Sequence, residues 1–153
     1  MDLSAFTRPS PRTSLPRTLT RIGLGLALAG AGITHLTVAR EEFQAQVPGW
    51  FPVDEDVTVL ASGVVEIVIG GSLVALSRWK VAVGLIAAAF FVVIFPGNVA
   101  QWLEGKDGFG LDTDAKRLAR LPFQAVLVAL ALWSTGAWSA LRGTDRGDSR
   151  SAG

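Results

Sequence analysis

VAVGLIAAAFFVVIF, residues 81–95, decides the fold. It contains no polar side chain, so as a helix it is apolar on every face. A surface helix of a soluble domain shows polar residues every third or fourth position, whereas one that is apolar all round belongs in lipid or in a large core. A chain of 153 residues is too short to build such a core. The stretch therefore reads as part of a membrane span.

A spanning helix needs about 20 mostly apolar residues, because a rise of about 1.5 Å per residue must cover about 30 Å of hydrocarbon. Four windows meet that length: residues 19–39, 57–77, 81–103 and 118–141. The expected fold is an all-α bundle of four transmembrane helices. The first window has the basic approach of a secretory leader, Arg12, Arg17 and Arg21, and a cleavable-looking Ala29-Gly30-Ala31. Its uncharged run from Ile22 to Ala39 exceeds the usual 7–15 residues of a leader's apolar core, so it reads as a retained helix. The membrane domain is placed at residues 17–142. Tails 1–16 and 143–153, rich in Pro, Ser, Arg and Gly, are expected to be disordered in the cytosol.

Composition agrees and excludes several chemistries. Half the residues are apolar and 18% are charged, against about 25% charged in a soluble domain. Without cysteine the chain forms no disulfide and ligates no iron–sulfur cluster or thiolate zinc. One histidine cannot supply both axial ligands of a haem. No metal motif, nucleotide loop or nucleophile elbow occurs, so no catalytic residue is assigned and no nucleic-acid partner is expected.

Charge sets the orientation. Short loops rich in Lys and Arg stay in the cytoplasm. With the N-terminus inside, the inner segments hold Arg8, Arg12, Arg17, Arg21, Arg78, Lys80, Arg142, Arg146 and Arg150, and the outer ones only Arg40, Lys106, Lys116, Arg117 and Arg120. The shortest connection, Ser77-Arg78-Trp79-Lys80, carries two cations and no acid. Both termini are expected inside, in a plasma (inner) membrane, with Trp50, Trp79, Trp102 and Trp138 near its interfaces.

An ionisable group within a span costs about 2.5–3.5 kcal/mol on insertion scales, so it normally faces the bundle interior and has a partner. The polar residues at depth are His35 and Glu66 on the first two spans, Asn98 and Gln101 on the third, and Arg120 and Gln124 on the fourth. Because the helices alternate in direction, all six fall in the outer half of the bilayer. Rows of small residues, Ala27, Ala31 and His35 on one helix and Ser62, Glu66 and Gly70 on another, predict close backbone approach along the faces that carry His35 and Glu66. Pro96 predicts a kink just before Asn98 and a carbonyl near Val92 in need of a donor. Pro122 acts similarly between Arg120 and Gln124. Three readings of the six stay open: an interhelical packing network, a pocket for a quinone, lipid or other hydrophobic ligand, and a proton or ion path through Glu66. The outer segment from Glu42 to Pro52, with Phe43, Val47, Trp50 and Phe51, is expected to lie on the membrane surface or to cap the bundle.

Five motifs in order resemble the DoxX family of small four-helix membrane proteins: Gly32-Ile-Thr-His35, Val47-Pro-Gly-Trp-Phe-Pro52, Ser62-Gly-Val-Val-Glu66-Ile-Val-Ile-Gly70-Gly71, Phe95-Pro-Gly-Asn98-Val and Arg120-Leu-Pro-Phe-Gln124. They cover residues 22–136. The departure is Gly97, where that family usually has alanine, and a glycine there is expected to loosen the kink. The resemblance implies a multi-pass protein without an assigned reaction, whose polar set matches at His35, Glu66, Asn98, Arg120 and Gln124. It ranks first a non-enzymatic accessory or assembly protein with a protein partner or a second copy of itself. Next comes a membrane subunit of a quinone-linked redox system, and third a proton-coupled carrier. Quinone is the one cofactor it suggests.

Overall fold

The computed structural model describes residues 13–148, with side chains to residue 142. Of the tails expected at residues 1–16 and 143–153, residues 1–12 and 149–153 lie outside the described residues, and residues 15–16 already belong to the first helix. Among the described residues there is no strand, and four helices are long and apolar enough to cross a membrane. They are α1 (Leu15–Leu36), α3 (Glu55–Ala75), α4 (Lys80–Leu103) and α5 (Asp114–Thr135). Between α1 and α3 lies a short helix, α2 (Arg40–Gln44), and a 3-10 turn at Ser77–Trp79 leads into α4. A last helix, α6 (Ala137–Asp148), follows α5.

Local chemistry explains the boundaries. Asp54 caps α3, accepting from the backbone N–H groups of Asp56 at 2.9 Å and Val57 at 3.2 Å. Thr113 caps α5 by accepting from Lys116. The first span stops at Leu36, earlier than expected, because Thr34 and Thr37 donate their hydroxyls back to Ala31 and Ile33 and the chain turns at Thr37. The fourth span does not run on to Leu141. It ends at Thr135, where Gly136 takes the left-handed conformation (φ 81°) that terminates many helices. Residues 143–148, expected in a disordered tail, continue α6 instead. That helix is anchored at its start by fully buried Ala137, and extending a formed helix costs little compared with starting one.

The bundle consists of two intimate pairs. α1 packs along α3, and α4 along α5; α1 also meets α5, whereas α3 and α4 touch little. In the α1–α3 pair the backbones come together at two places. A Cβ on Gly32 would lie 2.5 Å from the Gly63 carbonyl oxygen, and one on Gly70 would lie 2.5 Å from that of Gly25. Close approach was expected along Ala27, Ala31 and His35, but Ala27 is exposed; the contacting row is Gly25, Gly32 and His35 against Gly63, Glu66 and Gly70. Hydrocarbon offers no hydrophobic drive for helices to associate, so such close packing holds them together. The apolar core below is built from Leu24, Leu28, Ile69, Leu73, Val83, Ala87, Phe91 and Ala131.

The connections at the His35 end of the bundle form a cap. Lys106 donates to the Val47 carbonyl at 2.9 Å and pairs with Glu104 at 3.1 Å, and Glu104 accepts from the Gly49 N–H at 3.2 Å. Phe109 donates its N–H to Glu42, with its own φ at 55°. Arg117, only 7% exposed, ties the Lys106 carbonyl, Asp107 and Asp114 together. Of the apolar residues expected in this cap, Val47 is buried, while Trp50 and Phe51 stay exposed. The Gly49 N–H, then Lys106, hold the Glu104 carboxyl below its ordinary value of 4.5. A depressed carboxyl contributes stability above its ordinary pKa and loses it as pH falls through the lowered value. Amide exchange at Gly49, corrected for its intrinsic pH dependence, is therefore expected to rise below pH 4.5. Glu104→Gln removes that rise.

Candidate functional site

Each of the four long helices brings polar groups to one cavity beneath the cap. Glu66, in the middle of α3, is 5% exposed, and His35, at the end of α1, is 6% exposed. The shortness of α1 lets α2 fold over its end, so the His35 ring stacks on Phe43 with centroids 3.3 Å apart. His35 Nδ1 lies 2.8 Å from the Ala31 carbonyl oxygen and 3.1 Å from Glu66 Oε2. A carbonyl oxygen can only accept, so Nδ1 carries the proton and donates it to Ala31. Glu66 Oε2 then faces an N–H already engaged elsewhere and has no hydrogen-bond partner of its own.

Across the cavity, Asn98 Nδ2 donates to Gln124 Oε1 at 3.0 Å, and Gln124 Nε2 donates to the Phe91 carbonyl. The donor expected for the Val92 carbonyl goes instead to Phe91, one residue earlier, on the same turn before Pro96. Higher up, Arg120 donates to Gln101 Oε1 at 3.1 Å and to Gln46 Oε1 at 3.2 Å, and lies over the Phe109 ring. Gln46 Nε2 is buried without a partner.

The cavity has a volume of about 400 Å³. Five of the six polar residues expected at depth line it: His35, Glu66, Asn98, Arg120 and Gln124. Gln101, 1% exposed, is not on its wall and instead holds Arg120 from behind. Apolar side chains complete the lining, among them Leu28, Val59, Phe91, Ile94 and Leu127. Its exposed lining residues, Trp50, Phe51, Val93 and Pro96, mark a mouth between the cap and the outer half of α4. The arrangement can hold an amphiphile, because hydrogen-bonding groups and apolar side chains share the lining. A broader hollow of about 760 Å³ on the outer cap, lined by Glu41, Glu42, Asp107 and Asp112, includes none of these intramembrane groups.

Gly97 acquires a reason here. A Cβ at this position would lie 2.5 Å from the Gln46 carbonyl oxygen, so the glycine lets the cap rest directly on α4. The sequence reading assigned it to the kink alone. Gly97→Ala is expected to lift the residue 45–54 loop, exposing that loop to a protease in bilayer discs at least about tenfold faster than wild type, the response to a local opening about 1.4 kcal/mol easier. Unchanged cleavage would remove this role for Gly97.

Sequence reasoning missed Phe43 and Gln46, which lie outside every apolar window, as members of the site. It also missed the inner end. Arg21, read as a cation at the cytoplasmic mouth, is 4% exposed and donates to the carbonyl oxygens of Leu73 and Val74 in the last turn of α3. The signal was its position six residues inside α1. Lys80 is 6% exposed at the same end.

Residues 24–135 match the model of a family described as Domain of unknown function (DUF8561). No curated protein and no solved structure matches the chain.

Proposed function

We propose that this chain, which belongs to the DUF8561 family, is a DoxX-like multi-pass protein of the plasma membrane that takes a lipid-borne amphiphile, such as a quinone or a lipid, into its outer-leaflet cavity. Both termini face the cytoplasm in this reading. The charge asymmetry supports that orientation: Arg17, Arg21, Arg78, Lys80 and Arg142 cluster at one end, and the carboxylates of the cap at the other. Five ordered motifs support the likeness to DoxX proteins.

One observation carries the ligand reading. Glu66, whose Oε2 is buried without a hydrogen bond, is a lining residue of a cavity that is otherwise largely apolar. Leaving a buried polar atom unmet costs about 1–3 kcal/mol, and a ligand that meets it recovers that energy on binding. A network serving packing alone would close on itself, as Asn98 and Gln124 do.

Protein extracted from native membranes in mild detergent is expected to carry a lipid-soluble molecule at near-stoichiometric amount, detected by mass spectrometry of the organic extract. Ser62→Phe, which projects a ring into the cavity, should empty it while the protein stays folded. Extracts that match between wild type and variant would end this reading.

A second reading, the accessory or assembly role, is favoured by the apolar surface of the cap region, where Trp50 is 69% exposed and Val38 is 90% exposed. It predicts a stoichiometric partner after gentle pull-down, lost on Trp50→Ser.

A further inference from the structure

Two unmet groups near the cavity narrow the chemistry of what it takes. Glu66 Oε2 is an acceptor without a donor, and Gln46 Nε2 is a donor without an acceptor. Both belong to residues that line the cavity. The single N–H on His35 Nδ1 goes to the Ala31 carbonyl, so Glu66 Oε2, 3.1 Å from that nitrogen, is left without a donor. A head group that meets both must donate one hydrogen bond and accept another.

A hydroxyl does both. A ketone, ester or ether oxygen only accepts, and against Glu66 Oε2 it would set oxygen lone pairs against a carboxylate. The stacked pair of His35 and Phe43 offers a flat wall beside the acceptor. The mouth at Trp50, Phe51, Val93 and Pro96 admits a hydrocarbon tail.

Resting on the ligand-site reading above, we infer that the cavity selects a neutral hydroxyl-bearing head, an alcohol or phenol on a hydrophobic tail, whose O–H donates to Glu66 Oε2. Its oxygen accepts from the Gln46 amide. Ring-bearing and simple lipid alcohols share this chemistry. Sites built around a substrate hydroxyl reject analogues lacking it strongly, because their own polar groups are then left unpaired.

The test uses the full chain in bilayer discs and two probe families matched in tail. One is decyl hydroquinone, its dimethyl ether and decyl benzoquinone; the other is farnesol and its methyl ether. Affinities are read by calorimetric titration. The hydroxyl probe of at least one family is expected to bind on the order of 30-fold tighter than its ether, the range of a charge-assisted hydrogen bond. Preference in the hydroquinone family identifies a ring-bearing carrier, and preference in the farnesol family a simple lipid alcohol; either supports the inference. In Glu66→Leu the hydroxyl preference disappears while ether binding persists. Should that variant misfold, Glu66→Gln keeps an uncharged acceptor and is expected to reduce the preference about fivefold. Equal affinities for hydroxyl and ether in both families would overturn the inference and leave a binding cavity standing. Failure of every probe to bind would overturn the ligand-site reading itself.

Discussion

Gly32→Val is expected to destabilise the bundle by about 3 kcal/mol, the upper part of the range for forcing extra atoms into a packed interface. The carbonyl oxygen of Gly63 occupies the space that a Cβ would need, 2.5 Å away, with Ile67 and Glu66 side-chain atoms at 2.9 and 3.0 Å. A backbone oxygen cannot swing aside as a side chain can, so α1 must separate from α3. His35 lies one turn further along the same face, and a Cβ on Gly63 would meet its Cβ at 2.7 Å. The separation therefore moves His35 off Glu66 as well. The expected readings are a clear drop in melting temperature in mild detergent and weakened retention of the co-purifying amphiphile. Gly30→Ala is the control: nothing lies within 4 Å of a Cβ there, and alanine favours helix by about 1 kcal/mol. If Gly32→Val melted like wild type, the glycine contact would not hold the pair.

Gln124→Leu is the second large effect. Gln124 is 7% exposed and serves two groups at once, accepting from Asn98 and donating to the Phe91 carbonyl beside the Pro96 kink. Leucine fills similar space and strands both. Each unmet buried group costs about 1–3 kcal/mol in general, although hydrogen bonds between membrane helices average only about 0.6 kcal/mol. The expected total is about 2 kcal/mol, the middle of that range for a buried side chain that serves two groups. Adding Asn98→Leu should recover part of the loss, since removing both partners of a hydrogen bond is nearly neutral. The measurement is a double-mutant cycle in detergent unfolding. Strictly additive losses would show that Asn98 and Gln124 do not act as a unit.

Much of the site was legible before any coordinates. Distance along a span can be read from position, so His35, Glu66, Asn98, Arg120 and Gln124 could be assigned to one end of the bundle and to its interior, where they line one cavity. The need for a donor near Pro96 followed from covalent chemistry alone. Other features were hidden because they depend on what lies opposite. Phe43 and Gln46 sit in a connecting segment, and nothing in their neighbours announces that α1 ends at Leu36 and lets that segment fold inward. Gly97 reads as a defect in the helix until the Gln46 carbonyl is found resting on it. Ala27 and Gly25 are two residues apart and similarly small, yet only Gly25 meets α3. Gly136 ends the fourth span within Trp133-Ser-Thr-Gly-Ala-Trp138, where the flanking tryptophans and alanine keep the window apolar enough for hydropathy to pass over it.

By itself the sequence determined that four apolar helices of bilayer length form, and how far along each one its polar residues lie. Both are sums over single residues, of transfer free energy and of rise per residue. Only the tertiary structure decided which faces meet, that Glu66 is left with an unmet oxygen, and that a cavity remains between two close-packed helix pairs. Those features depend on the rotation of each helix about its own axis. That rotation is set by atom-scale contacts between glycine backbones and by the folding of the cap, which no property of one helix taken alone encodes.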